Sequence, residues 1–394
     1  LPFFHRDKKD ALMRQPLKHT VSTLLLSGLC AMSMPAVSAS LDSTVRDAAQ
    51  AVMQQYNVPG LAIAISVEGQ QHFYNLGVAS KMTATKVTSD TLFEVGSISK
   101  TLTATLATYA QANGQLSLTK TVSTYLPELR NTPFGNVTLI GLATHTAGGF
   151  PLQVPDDVQN DTQLMAYLKA WQPTYPQGTQ RSYANPSIGM LGVIAAKRMN
   201  MPYTEAMQDH LLPALGMKSS YLQIPDSEMH RYAQGYNKED APVRLGAGVL
   251  ADEAYGLKTS ARDLIHFAEL NAGLGQVSPP LRRALDTTHT GYFRAGPMTQ
   301  DLVWEQYPYP VTLAALTEGN SNAMAYDTQP VEALNPPLAP RADSWINKTG
   351  STNGFGGYIA FVPAKKQAVV ILANKNYPNE ARVKLAHALL EALN

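Results

Sequence analysis

Three short stretches of this 394-residue chain carry side chains that could act together in chemistry. Gly96-Ser97-Ile98-Ser99-Lys100 sets a hydroxyl and an ammonium three residues apart. Its surroundings read as a helix start: Ile98, Leu102, Leu106 and Tyr109 recur at helical spacing as a buried stripe, and Asn113-Gly114 ends the run. Ser97 and Lys100 then share a face, at a helix end where backbone N–H groups point outward. That suits a serine nucleophile with a cation beside it. A capping serine and a solvated lysine fit the same residues about as well, because average composition yields roughly one Ser-x-x-Lys in a chain of this length. Ser117-Leu118-Thr119-Lys120 repeats the spacing but follows the helix, so it is read as chance.

Tyr183-Ala184-Asn185 lies between the polar Thr179-Gln180-Arg181-Ser182 and an apolar run from Ile188 to Ala196. Alone it is a loop tyrosine before an Asn-Pro turn. Lys348-Thr349-Gly350 is rarer, with composition predicting on the order of 0.1 such triplets. It ends a strand beginning near Trp345, where a core strand would carry Val or Ile. A lysine on an edge strand, a common guard against aggregation, is the plain alternative.

The elements that must position these residues are legible at both ends of the chain. Leu41 to Tyr56 has apolar residues at helical spacing and stops at Asn57-Val58-Pro59-Gly60. Leu61 to Val67 and Gln71 to Leu76 form a hairpin about Glu68-Gly69. Gly357 to Val362 and Gln367 to Ala373 form a second hairpin, and Asn379 to Leu393 a last helix after Pro378. Two N-terminal and about three C-terminal strands can share one antiparallel sheet, with the terminal helices on one face. The middle is richer in helical pattern, Pro and Gly. The expected class is α+β: a sheet domain from 40–95 and 320–394, and a mainly helical region over 96–319, with the groove between them as the natural site.

Composition narrows the function. The chain is 44% hydrophobic and 15% charged, as for a soluble globular protein, and its net charge of +1 offers no footprint for nucleic acid or an anionic membrane. Residues 1–39 read as upstream residues and an export signal: basic Met13 to His19, apolar Val21 to Met34, and small residues at Val37-Ser38-Ala39, with cleavage expected after Ala39. The run is too short for a lasting membrane span. Cys30, the single cysteine, lies in that signal, so the mature chain has no disulfide or thiol chemistry. Removing five Lys/Arg and two Asp/Glu leaves a mature charge of 26 − 28, or −2. His72, His145, His210, His230, His266, His289 and His387 show no metal-ligand spacing, and no cofactor is called for. The Gly-x-Ser-x-Gly of an α/β-hydrolase is missing: Gly319-Asn320-Ser321-Asn322-Ala323 lacks its last Gly and Asn185 to Gly189 its first.

The three motifs in this order are far rarer than any one of them. Ser-x-x-Lys with Lys-Thr-Gly and a polar middle motif is the signature of β-lactamases and penicillin-binding proteins. With Tyr-Ala-Asn in the middle, the chain resembles the class C β-lactamases, the AmpC-type cephalosporinases. The likeness extends to Leu92-Phe93-Glu94-Val95-Gly96, to Ala147 through Asp156, to Glu253-Ala254-Tyr255-Gly256 and to Ala373 through Val383, and so covers essentially the whole mature chain. Two departures are Asn347, where many class C enzymes have His, and His145, where Tyr is usual.

The resemblance implies hydrolysis of the β-lactam amide of cephalosporins and penicillins through an acyl-serine, conferring antibiotic resistance, by a periplasmic monomer without cofactor, metal or membrane anchor. It implies Ser97 as nucleophile, with the backbone N–H groups of Ser97 and Ser351 as oxyanion hole. Gln153 and Asn185 would hold the acylamino side chain and Tyr255 would line its pocket. Thr349, Asn379 and Arg382 would sit near the substrate carboxylate. Either Tyr183 or Lys100 takes the serine proton. Half ionisation of a tyrosine at pH 7 needs about 3 units of pKa lowering, roughly 4 kcal/mol. One cation about 4 Å away supplies around 4 kcal/mol at an effective dielectric near 20. With Lys100 and Lys348 both close, Tyr183 is the favoured relay, although the two are placements of one proton. A D-alanyl-D-alanine peptidase, an esterase of the same fold and a β-lactam sensor that acylates without turnover are the alternatives.

Overall fold

The structure, a computed structural model, describes residues 35–394. The basic and apolar regions of the expected signal, with Cys30, lie outside the described residues. The first helix, α1, runs Pro35–Tyr56. Gly60–Val67 (β1) and Gln70–Gly77 (β2) follow as the expected hairpin. The central part holds helices α2 (Ser99–Ala112), α3 (Asn185–Arg198), α4 (Ala261–Asn271) and α5 (Pro279–Thr288). The chain then returns to strands: β3 (Gly291–Ala295), β4 (Met298–Gln300), β5 (Glu305–Pro308), β6 (Glu332–Leu338), β7 (Ser344–Thr352), β8 (Phe355–Val362) and β9 (Gln367–Ala373). It ends in α6 (Asn379–Glu391).

These nine strands form one antiparallel sheet in the order β6-β3-β4-β5-β7-β8-β9-β1-β2. The first and last parts of the chain meet where β1 pairs with β9, Leu61 opposite Ala373 through Val67 opposite Gln367. Alternation assigns the faces. Leu61, Ile63, Ile65, Val369 and Ile371 share a core with Val383, Ala386 and Leu389 of α6 and with Val45 and Ala49 of α1. Ala62, Ala64, Ala368 and Val370 point the other way into the larger core. Three of those four are alanines, which leaves room for α4 to lie close against β1 and β9. Each fully buried Leu or Ile contributes about 1.5–3 kcal/mol.

The sheet is wider than its sequence suggests. β3, β4 and β5 fall inside the stretch read as mainly helical. Their strands are three to five residues long, and β5 buries Glu305 and Gln306, so no apolar alternation marks them. Helix α2 also differs from a one-faced amphipathic helix. It is buried on nearly all sides between α3 and α5, while Tyr109 is only half-buried. Its threonines tolerate this because their hydroxyls donate within the helix: Thr101 to Ile98 O, Thr105 to Thr101 O and Thr108 to Ala104 O.

Candidate active site

Ser97 sits in a single 3₁₀ turn, Gly96–Ile98, that leads into α2. The turn presses against the end of β7. Gly96 has φ +50°, and a Cβ there would lie 2.4–2.6 Å from the backbone of Ser351. Gly350 makes the reciprocal approach, since its Cβ would lie 2.0 Å from Val95 O and 2.8 Å from Ile98 N. The third residue of Lys-Thr-Gly is therefore glycine because the turn carrying Ser97 packs directly on that strand.

Lys100 is not solvated. It is 0% exposed, and its Nζ donates to Ser97 Oγ at 2.8 Å and to Ala254 O at 2.9 Å. Burial, first, and the charge of Lys348 lower its pKa to about 8, against the opposing pull of a Tyr183 anion. Lys348 is also buried and lines the same cleft of about 450 Å³ as Ser97.

The register of β7 explains the opening to that cleft. β5 pairs with Ser344 through Asn347 and then stops, whereas β8 pairs on through Thr352. Residues 348–352 thus have a strand partner on one side and a free edge on the other. The lysine of this strand answers to the cleft and not to bulk solvent, which sets aside the reading of an anti-aggregation edge lysine.

Tyr183 lies between the two ammonium groups. Lys100 Nζ is 5.2 Å and Lys348 Nζ 5.0 Å from its ring centroid, with the Arg181 guanidinium carbon at 5.4 Å. The ring is partly open to the cleft, but Oη is covered and has no hydrogen bond of regular geometry, although Ser97 is near enough to favour its anion. Burial opposes ionisation, yet Lys100 and then Lys348 outweigh it and bring the phenol to about 8. Asn185 opens α3, and its backbone N–H donates to Leu152 O at 2.8 Å, tying the Tyr-Ala-Asn loop to the segment bearing Gln153. The Asn185 side-chain oxygen is buried without a partner.

Gln153, Asn185, Tyr255, Thr349, Ser351 and Asn379 line the cleft with Ser97, Tyr183 and Lys348. Arg382 does not line it directly: it is 0% exposed and reaches the cleft through the lining residues Ser351 and Asn376. Its guanidinium donates to Gly350 O and Ser351 Oγ at 2.9 Å each, to Asn376 Oδ1 at 2.8 Å, and to Tyr377 O.

The two departures from class C are both buried. His145 packs its ring 4.3 Å from that of Tyr183, and its Nδ1 accepts the Ala184 N–H at 3.1 Å. Burial and the charges of Arg181, Lys100 and Lys348 hold its pKa well below the usual histidine value, so the ring is neutral and carries its proton on Nε2. Asn347 joins a buried network, accepting from Tyr358 OH at 2.9 Å and from Asn320 Nδ2 at 3.2 Å.

Residue patterns gave no signal for Arg181, buried against Glu305 at 3.3 Å and donating to Gln300 Oε1 at 2.7 Å, or for Glu94 beneath the cleft. Their spacing in sequence exceeds a hundred residues, so only the fold brings them together. Among the described residues, no group of three or more His, Cys, Asp or Glu is placed to hold a metal. No described helix is long and apolar enough to cross a membrane.

A wide antiparallel sheet with terminal helices on one face and a helical layer on the other, meeting at a Ser-Lys-Tyr-Lys cluster, is the fold of the serine β-lactamases and penicillin-binding proteins. Residues 45–394 match the family model described as Beta-lactamase, and the chain belongs to that family, with class C likeness throughout. A β-lactamase of Lysobacter lactamgenus is 52% identical over 91% of this chain and 93% of its own. A solved β-lactamase/D-alanine carboxypeptidase from Pseudomonas syringae is 61% identical, with a TM-score of 0.88 over 89% of this chain and 99% of that one. A class C β-lactamase in complex with cefoxitin is 49% identical, with a TM-score of 0.88 over 90% and 99%.

Proposed function

We propose that this protein hydrolyses the β-lactam amide of cephalosporins and penicillins through a covalent acyl-serine. The observation that carries the reading is Ser97 Oγ 2.8 Å from a fully buried lysine, beside a tyrosine bracketed by two ammonium groups. A serine hydroxyl is a weak nucleophile until a neighbouring base takes its proton. Here the base is the Tyr183–Lys100 pair. With both groups near 8, either can hold the single mobile proton, and the pair titrates as a unit. Ser97 Oγ adds to the lactam carbonyl as its proton passes to the pair. The ring amide then breaks, and that proton goes to the departing nitrogen. Water enters the ester by the reverse relay and frees Ser97.

The carbonyl oxygen, as it gains charge, is met by the backbone N–H groups of Ser97 and Ser351. The contact of the Gly96 turn with Ser351 supports this pairing, since it fixes the two segments against each other. One such donor contributes about 10²–10³ in rate. Lys348 lowers the pKa of Tyr183 and attracts the substrate carboxylate, with Thr349 and Asn379 nearby. The free edge of β7 receives the substrate. Gln153 and Asn185 take the acylamino group, and the unpartnered Asn185 oxygen is an acceptor awaiting a donor. Tyr255 lines the side-chain pocket.

The protein acts after export to the periplasm, with cleavage after Ala39, as a monomer, and its activity protects the cell from β-lactams. A second reading, D-alanyl-D-alanine peptidase activity at the same serine, is favoured by the Pseudomonas syringae relative that carries both names. Nitrocefin added to the purified mature protein decides between them. Sustained turnover, absent in Ser97→Ala, supports the lactamase. A burst equal to the enzyme concentration, with no further product, would replace it with the peptidase or a sensor.

A further inference from the structure

Glu94 lies three residues before Ser97, is 1% exposed and does not line the cleft. A buried carboxylate needs donors, and this one takes them from three separate segments. Thr352 Oγ1 donates to Oε2 at 2.5 Å. Tyr232 OH donates to Oε1 at 2.6 Å, and the backbone N–H of Leu245 to the same oxygen at 2.7 Å. Thr352 is the last residue of β7, next to Ser351. Leu245 belongs to the 244–246 stretch that forms the facing wall of the cleft. That wall continues to Gly248, whose Cβ position would lie 3.4 Å from the Tyr255 hydroxyl. Tyr232 in turn holds the wall from outside, because Arg244 lies 4.0 Å over its ring and donates to Tyr232 O at 2.6 Å.

We propose that Glu94 is a positioning residue: its carboxylate ties the end of β7 to the loop around Leu245 and so sets the width of the pocket for the substrate side chain. The two walls are joined through opposite oxygens of one carboxylate, on a short strand (Phe93–Glu94) fixed by pairing with Lys258 and Thr259. A hydrophobic residue at this position leaves three donors unmet and the walls independent. Glutamine keeps the span, because its amide oxygen serves Leu245 and Tyr232 while its NH₂ meets the Thr352 hydroxyl as an acceptor.

This inference rests on the lactamase reading, so its test has one arm that needs no catalysis. Hydrogen exchange is followed across 242–249 and 350–354 in the wild type, Glu94→Ala and Glu94→Gln. Alanine should speed exchange in both segments together, and glutamine should restore protection. The kinetic arm compares benzylpenicillin with 6-aminopenicillanic acid, the same nucleus without the acyl side chain. Glu94→Ala should lose tenfold or more in kcat/KM on benzylpenicillin, mainly through KM, and less than threefold on the bare nucleus. Glu94→Gln should recover most of the loss. Thr352→Val, which cuts the strand-side bond at a residue that also lines the cleft, should speed exchange in both segments with the same dependence on the side chain, and stands in if the alanine variant does not fold. Equal losses on both substrates, or exchange that rises in one segment alone, would overturn the clamp. Failure of the lactamase reading is a different result, namely no turnover of either substrate by the wild type with the exchange pattern intact.

Discussion

Replacing Lys348 by methionine should return Tyr183 to an ordinary phenol. Coulomb's law gives about 3 kcal/mol for a charge about 5 Å away at an effective dielectric near 20; Lys348 lies 5.0 Å and Lys100 5.2 Å from the centre of the Tyr183 ring. Together they amount to roughly 4–5 pKa units. Burial opposes them and leaves the phenol at about 8 instead of 10.0. Removing Lys348 takes away about 2 units and brings Tyr183 back to near 10. The same change raises Lys100, because Lys348 also lowers that group. The sign is then fixed: both members of the pair hold protons more tightly, and the acidic limb of kcat/KM moves up by about 1–2 units. The assay is nitrocefin hydrolysis from pH 5 to 10.5, with a tyrosinate difference titration of Lys348→Met, referenced to Tyr183→Phe in each background. Loss of a carboxylate-binding cation lowers kcat/KM at every pH, so the position of the limb is the readout and not its height. A limb within half a unit of the wild type would refute the reasoning, because this cation would then have no hold on the proton relay.

Other consequences are more local. Gly350→Ala should destabilise the protein by about 1–3 kcal/mol in urea unfolding and abolish most activity, because the new methyl group collides with Val95 O at 2.0 Å. Arg382→Ala should reduce kcat and stability together, since it strips donors from Gly350 O and Ser351 Oγ, whereas a loss confined to KM would point to a carboxylate-binding role. His145→Ala should cost about 1–3 kcal/mol by leaving the Ala184 N–H unmet, and should lower kcat as the Tyr183 loop loosens. Acid should act against the fold through His289. Burial, then Arg282, pushes it down to about 3. The unfolded chain takes that proton below about pH 6.5 while the folded chain resists, so this histidine costs about 1.4 kcal/mol per pH unit below it. Glu253, raised to about 7 by burial, and the buried Asp301, also raised, bind protons in the folded chain and act in the opposite direction. Urea midpoints of the wild type and His289→Gln at pH 7, 6 and 5 should therefore diverge, the wild type being the more acid-sensitive, and parallel profiles would contradict it.

The chemistry of this molecule is more legible in its sequence than its architecture. Ser97, Lys100, Tyr183 and Lys348 stand in short motifs whose order is informative, and the structure brings Ser97, Tyr183 and Lys348 to one cleft with Lys100 buried against Ser97 beneath it. Both hairpins and both terminal helices show plain periodicity because each buries an apolar face. β3 to β5 do not, because their strands are too short and too polar to alternate. The motifs say nothing of the depth of Arg382, which is buried against Gly350 O and Ser351 Oγ instead of opening on the cleft. Glu94, Arg181 and Glu305 left no local trace, since each meets partners 119 to 258 residues away. His145 was visible only as a departure from the class C pattern, and its role in holding Ala184 needed the fold.

The central claim is that Ser97 becomes the ester in each turnover. The direct measurement is to quench the mature protein with a slowly released cephalosporin, digest it and map the adduct by mass spectrometry. The account predicts a substrate-derived mass on the peptide containing Ser97, which forms before product accumulates and disappears as the substrate runs out. Turnover without an adduct, or an adduct on any other residue, would contradict it.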